Sequence, residues 1–165
     1  MGRLIALVAA LWMCGAPLAG AQRGDPLVVL NGQFGVVGLA PPPGEAAQLA
    51  KLMGDALAAL RPQRPGQVDV YLIAASLWGE PVFEREASAA AALLIPHLGA
   101  EGRAIVLSAG GQGQRLYPAA TPENISAAIG QVGALMDPNE DLAVIFLTSH
   151  GTPNGAIGFS ETNRF

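Results

Sequence analysis

Two histidines, one cysteine and a few serines are the residues that could carry proton transfer or nucleophilic chemistry in this chain of 165 residues. His150 is the strongest candidate. It stands in Thr148-Ser149-His150-Gly151, directly after an apolar run, and its reference pKa of about 6.5 suits general-base work near neutral pH. Gly151 would let the backbone turn away sharply and leave its N–H open to a ligand. The plainer alternative is a solvent-facing or capping histidine on a loop. His97, beside Leu98-Gly99 at the end of an Ala-rich segment, is accounted for by capping of a helix C-terminus. The two histidines lie on different kinds of element, and no acidic residue stands at ligand spacing from His150, so no metal site and no cofactor are expected.

The remaining polar residues offer less. Ser76, Ser108 and Ser149 end or follow apolar runs, but none sits in a G-x-S-x-G elbow, which argues against a serine triad. Gly110-Gly111-Gln112-Gly113 is not followed directly by a helix and reads as a flexible turn rather than a phosphate cradle. Asp69 and Asp141 open strands at the far end from these loops and read as solvated starts. Trp78 is either part of a binding rim or a partly buried anchor.

Cys14 is the single cysteine, and it falls in a segment with the form of a secretory signal peptide. Arg3 supplies the positive start, residues 4–13 form an apolar run, Gly15 and Pro17 interrupt it, and Ala19-Gly20-Ala21 has the small-residue pattern of a cleavage site. The run is too short for a spanning helix, and bulky Met13 before Cys14 argues against lipid attachment. Cleavage after Ala21 would leave a secreted or periplasmic chain without cysteine, hence without disulfides, thiolate metal sites or a cysteine nucleophile of its own. Losing Arg3 from nine basic residues leaves eight against thirteen acidic ones, a net charge of −5. No basic cluster marks a nucleic-acid footprint, and no apolar run of spanning length follows residue 21, so no membrane attachment is expected after cleavage.

These residues must be positioned by a regular alternation of elements. Residues 22–44 are a lead-in, with a short strand at 26–30, a turn at Asn31-Gly32 and a break at Pro41-Pro42-Pro43-Gly44. Leu49, Leu52, Met53, Ala56, Leu57 and Leu60 then follow the helical period, with Gln48, Lys51 and Asp55 facing away. Residues 68–77 read as a strand, 84–98 as a helix with Ala87, Ala91, Leu94 and Leu98 on one face, and 103–108 as a second strand. A helix over 121–136 is capped by Thr121 and Pro122, with Ile125, Ile129, Val132 and Met136 on one stripe. Residues 142–147 form a third continuous apolar strand. Such strands are buried on both faces, which predicts an α/β fold with a parallel sheet between helices. His150 would then lie beyond the carboxyl end of a strand, where ligands collect in such sheets. Fifteen residues follow His150, too few for a further βα unit, although Phe159 could pair in a short hairpin.

Leu142-Ala143-Val144-Ile145-Phe146-Leu147-Thr148-Ser149-His150-Gly151, preceded by Met136-Asp137-Pro138-Asn139-Glu140-Asp141, resembles the histidine-bearing strand of bacterial legumain-like cysteine peptidases. Val68-Asp69-Val70-Tyr71-Leu72-Ile73-Ala74 resembles their first core strand, and Val82-Phe83-Glu84-Arg85-Glu86 the helix start that follows. The resemblance implies a caspase-like three-layer α-β-α fold, here incomplete with three core strands, within residues 45–165. It also implies peptide-bond hydrolysis by a Cys–His dyad, with His150 as the histidine and Gly151 as the glycine whose N–H lines the oxyanion hole. The family's cysteine follows the next core strand, which would begin after Phe165. The expectation is therefore a fragment of an exported peptidase, inactive alone, whose full-length form takes a peptide or protein substrate. A small exported α/β binding module, or a dead remnant acting through a partner, is the alternative. Self-association at an open strand edge is the further expectation.

Overall fold

The computed structural model describes residues 43–110, 116–153 and 155–159. The segment read as signal peptide, with Cys14, and residues 22–42 of the lead-in, with the strand at 26–30, lie outside the described residues, as do residues 111–113 of the glycine-rich run. Pro43 and Gly44, read as part of the break, are instead the first two residues of a helix, where proline's missing N–H has no partner to lose.

Three strands, β1 (Val70–Ser76), β2 (Ala104–Ser108) and β3 (Leu142–Thr148), pair in the order β2-β1-β3, and both pairings are parallel. Three helices, α1 (Pro43–Ala58), α2 (Pro81–Leu98) and α3 (Pro122–Leu135), complete a three-layer α/β arrangement. The right-handedness of β-α-β crossovers explains the layering. The chain leaves β1 for β2 on one side, then crosses back over β1 to reach β3, so α2 and α3 fall on opposite faces. Leu72, Ala74, Val106, Val144 and Phe146 meet α2 through Ala91, Leu94 and Leu98. Tyr71, Ile73, Ala75, Ile105 and Leu107 meet α1 and α3 through Met53, Leu57, Ala128 and Val132. No helix among the described residues is long and apolar enough to cross a membrane.

Local signals set the helix ends. Thr121 is the N-cap of α3, and its hydroxyl accepts from the Asn124 N–H at 3.2 Å, a contact worth about 1 kcal/mol. Gly99 closes α2 at φ 65°, donating its N–H to the Ile95 carbonyl, a left-handed cap that costs glycine little. Residues predicted as a strand over 68–77 narrow to Val70–Ser76, and α2 begins one turn earlier than periodicity suggested, at Pro81. Proline suits a first helical position because its missing N–H has no partner there anyway. The small face of α2 is as read, with Ala87 and Ala91 buried. The stripe of α3 holds at Ile125, Val132 and Met136, which pack in the core, but Ile129 is 45% exposed and Ala128 takes its place.

The strands also differ in cover. Every residue of β1 from Tyr71 to Ser76 is buried, whereas each residue of β3 is only half-buried. The cause is topology. β1 is flanked on both sides, while β3 has a neighbour on one side among the described residues.

Asp69 and Asp141 are not solvated starts. They are 1% and 5% exposed and organise the amino ends of the strands. Asp69 accepts from the Arg64 N–H at 2.6 Å and from the Arg64 guanidinium at 2.7 and 3.0 Å, with Arg103 Nη2 at 3.2 Å from its other oxygen. Its own N–H donates to Asp141 Oδ1 at 2.8 Å, and Asp141 Oδ2 accepts from the Asp137 N–H at 2.8 Å. Arg103 also donates to the Pro62 carbonyl at 2.8 Å. A buried carboxylate persists only when paired and hydrogen-bonded, and the two loops folding over the strand starts supply those partners. The Arg64 hydrogen bonds hold the Asp69 carboxyl below its ordinary range against the opposing effect of burial.

Candidate functional site

The strand order reverses between β1 and β3, and the crevice outside the carboxyl ends at such a reversal is where open α/β sheets bind ligands. His150 lies there, two residues past β3. Its backbone is held from both directions. Leu77 donates its N–H to the Thr148 carbonyl at 2.9 Å, continuing the β1–β3 ladder, and Gly158 donates its N–H to the His150 carbonyl at 2.7 Å. The second bond belongs to a short return of the chain in which Gly151 bridges Ile157 in antiparallel fashion.

That return corrects two expectations. Ile157 and Gly158, not Phe159, make the pairing. Gly151 does not turn the chain through a left-handed conformation; Gly155 does, at φ 83°. A Cβ on Gly151 would meet only the Ala156 carbonyl oxygen, at 3.9 Å. The ladder bonds fall on either side of Gly151, from Gly158 N–H to His150 and from Thr152 N–H to Ala156. Its own N–H and C=O therefore stay out of this pairing. Gly151 as a residue is exposed.

Among the described residues, Glu80, Trp78 and Phe83 contact the imidazole. Glu80 Oε1 is 3.0 Å from His150 Nε2. Trp78 and Phe83 present their rings edge-on to it, with centroids at 5.2 and 4.8 Å and interplanar angles of 81° and 79°. Trp78 is thus both half-buried and part of the rim. Glu80 and Phe83 escaped the sequence reading of the site. Their one signal was position, on the turn and helix start that follow β1, at the same end of the sheet as His150. The loop bearing Trp78 and Glu80 is fixed by burial of Leu77 below it and by contact of Gly79 with Gly110 after β2.

The serines do not join this group. Ser149 donates its hydroxyl to the Gly158 carbonyl. Ser76 and Ser108 are buried, their hydroxyls 3.3 Å apart, and Ser108 Oγ lies 3.0 Å from Glu84 Oε2 and 2.7 Å from the Gly110 carbonyl oxygen. With no imidazole beside them, they serve to tie α2 to the ends of β1 and β2. His97 lies with Nδ1 2.8 Å from the Leu93 carbonyl oxygen, on the exposed last turn of α2. It is remote from His150 in the fold and fits the capping account. Among the described residues no group of three or more His, Cys, Asp or Glu side chains could hold a metal ion. What the arrangement can do is accept and deliver a proton at an exposed imidazole, followed in the chain by a glycine whose N–H takes no part in the return's hydrogen bonds. No protein-family model matches the chain, and no curated protein or solved structure matches it either.

Proposed function

We propose that this chain carries the histidine half of an exported, legumain-like Cys–His peptidase centre, with the nucleophilic thiol supplied from outside residues 1–165. The observation that carries the reading is the placement of His150, with Gly151 next to it and outside the return's hydrogen bonds, at the β1/β3 reversal. A caspase-like sheet would add its next strand along the outer edge of β3 and bring a cysteine to this same end. In that arrangement His150 takes the thiol proton, and the thiolate attacks the scissile carbonyl of a peptide or protein substrate. The Gly151 N–H faces the developing oxyanion, and the imidazolium returns its proton to the leaving amine.

The test is to read the coding sequence past codon 165 and to assay the longer product. The expected result is a further apolar strand ending in cysteine, and peptide cleavage abolished by replacing either that cysteine or His150. The chain of 165 residues by itself should show no turnover. Cleavage by this chain that disappears on replacing His150, or a longer product without such a cysteine, would overturn the reading. A second reading, a small exported α/β binding module or a catalytically dead remnant that acts through a partner, is favoured by one observation: the single cysteine is Cys14, in the segment with the form of a signal peptide. The same sequencing separates the two.

A further inference from the structure

We propose that Glu80 is the positioning residue of His150, holding the proton on Nε2 and leaving Nδ1 as the atom that exchanges protons. Its use in catalysis rests on the peptidase reading; the proton placement does not. Glu80 occupies the N-cap position of α2, with φ −72° and ψ 138°, yet its side chain makes no capping hydrogen bond. The carboxylate is turned instead to His150 Nε2, at 3.0 Å. Pro81 explains the direction. A residue before proline is driven out of the helical region, so the Glu80 side chain leaves from an extended backbone rather than from the first turn of α2.

An ionised carboxylate only accepts hydrogen bonds, so the short contact requires a proton on Nε2. The lone pair of the neutral ring then falls on Nδ1. Three further contacts hold the residue in place. Trp78 and Phe83 stand edge-on to the imidazole, and the Gly158 N–H anchors the His150 carbonyl at 2.7 Å. A Cβ on Gly158 would stand 3.1 Å from that carbonyl oxygen and 3.4 Å from the Trp78 ring, so the return of the chain presses on both. The His150 and Glu80 side chains are 52% and 55% exposed. A pair so exposed adds little to stability, and its consequence lies in ring orientation and tautomer.

The experiment uses the full chain with ¹⁵N-labelled histidine and two-bond ¹H–¹⁵N correlation spectra at a pH where the imidazoles are neutral. His97→Gln separates the two histidines. The wild type should show His150 as one tautomer, Nε2–H, with an Nε2 proton protected from exchange with water. Glu80→Ala should lose that proton signal and average the two tautomers. Glu80→Gln, whose amide oxygen still accepts, should keep both features. Unchanged His97 signals report that the variants are folded. Equal tautomer averaging in wild type and Glu80→Ala overturns the proposal, as does loss of the Nε2–H signal in Glu80→Gln equal to that in Glu80→Ala. The readout needs neither substrate nor thiol, so the proposal can fail while the peptidase reading stands, and the reverse.

Discussion

Gly110 lies against Gly79 so closely that a Cβ built on it would stand 2.7 Å from the Gly79 Cα and 3.1 Å from the Gly79 carbonyl oxygen. The contact joins the turns after β2 and β1, and the second of these carries Trp78 and Glu80 to His150. Backbone cannot yield as a flexible side chain can. Gly110→Ala should therefore cost about 1–3 kcal/mol, the usual range for overpacking, and should weaken the Trp78–His150 contact. Gly133 in α3 has nothing within 4 Å of its virtual Cβ, so Gly133→Ala should stabilise by about 0.5–1 kcal/mol through helix propensity. Urea unfolding of the two variants checks both signs.

Asp69→Asn should be among the most destabilising single substitutions. It removes the charge that Arg103 faces, and the Asp69 and Arg103 side chains are 0% and 6% exposed. Breaking one side of a buried pair costs about 3–5 kcal/mol. The pH dependence has a definite sign. Hydrogen bonds from Arg64, with Arg103 nearby, hold the Asp69 carboxyl below its unfolded value. The unfolded chain thus binds the proton first as pH falls. This stabilisation is fully present above the unfolded value of about 3.9 and is lost as pH drops through the lower folded value. The difference in urea midpoint between wild type and Asp69→Asn should shrink from neutral pH toward pH ~3.

The outer edge of β3 should be visible in amide exchange. Leu142 N–H bonds to the Asp69 carbonyl and Leu77 N–H to the Thr148 carbonyl, each at 2.9 Å. By the alternation of a parallel ladder, Val144 and Phe146 also face β1, while Ala143, Ile145 and Leu147 direct their N–H and C=O groups outward. Fast exchange at those three residues, alternating with slow exchange at Val144, Phe146 and Thr148, is expected for dilute protein. The strand has no charge, proline or glycine to guard that edge, so association should grow with concentration. Ala143→Pro removes an outward N–H without breaking a β1–β3 bond, and it should lower association. A monomer at every concentration, with uniformly slow exchange from Ala143 to Leu147, would contradict this expectation.

The expectation of export carries a chemical prediction at the amino terminus. Protein recovered from outside the cytoplasm of the producing cell should begin at Gln22, as found by N-terminal sequencing. A recovered chain that still carries Leu4 and Cys14 would show that the Ala19-Gly20-Ala21 site is not used.

Much of the fold was legible because helices and strands are written in neighbours two to four residues apart. Apolar runs marked the three strands, Thr121-Pro122 and Leu98-Gly99 marked helix ends, and the alternation of elements implied parallel pairing. The place of His150 at a strand's carboxyl end followed from that pattern alone. Its surroundings did not. Glu80 and His150 are 70 positions apart, and no local period links them; the order β2-β1-β3 does, by laying the turn after β1 beside the end of β3. The same order decided that β1 is buried throughout and β3 only half-buried, although both strands read as continuous apolar runs. Asp69 and Asp141 looked solvated because a carboxylate's partners cannot be read from its own segment. Arg103 and the loops at 61–67 and 137–141 reach them only when the strands are side by side. Tertiary structure therefore decided which polar groups lose water, since desolvation depends on what arrives from elsewhere in the chain.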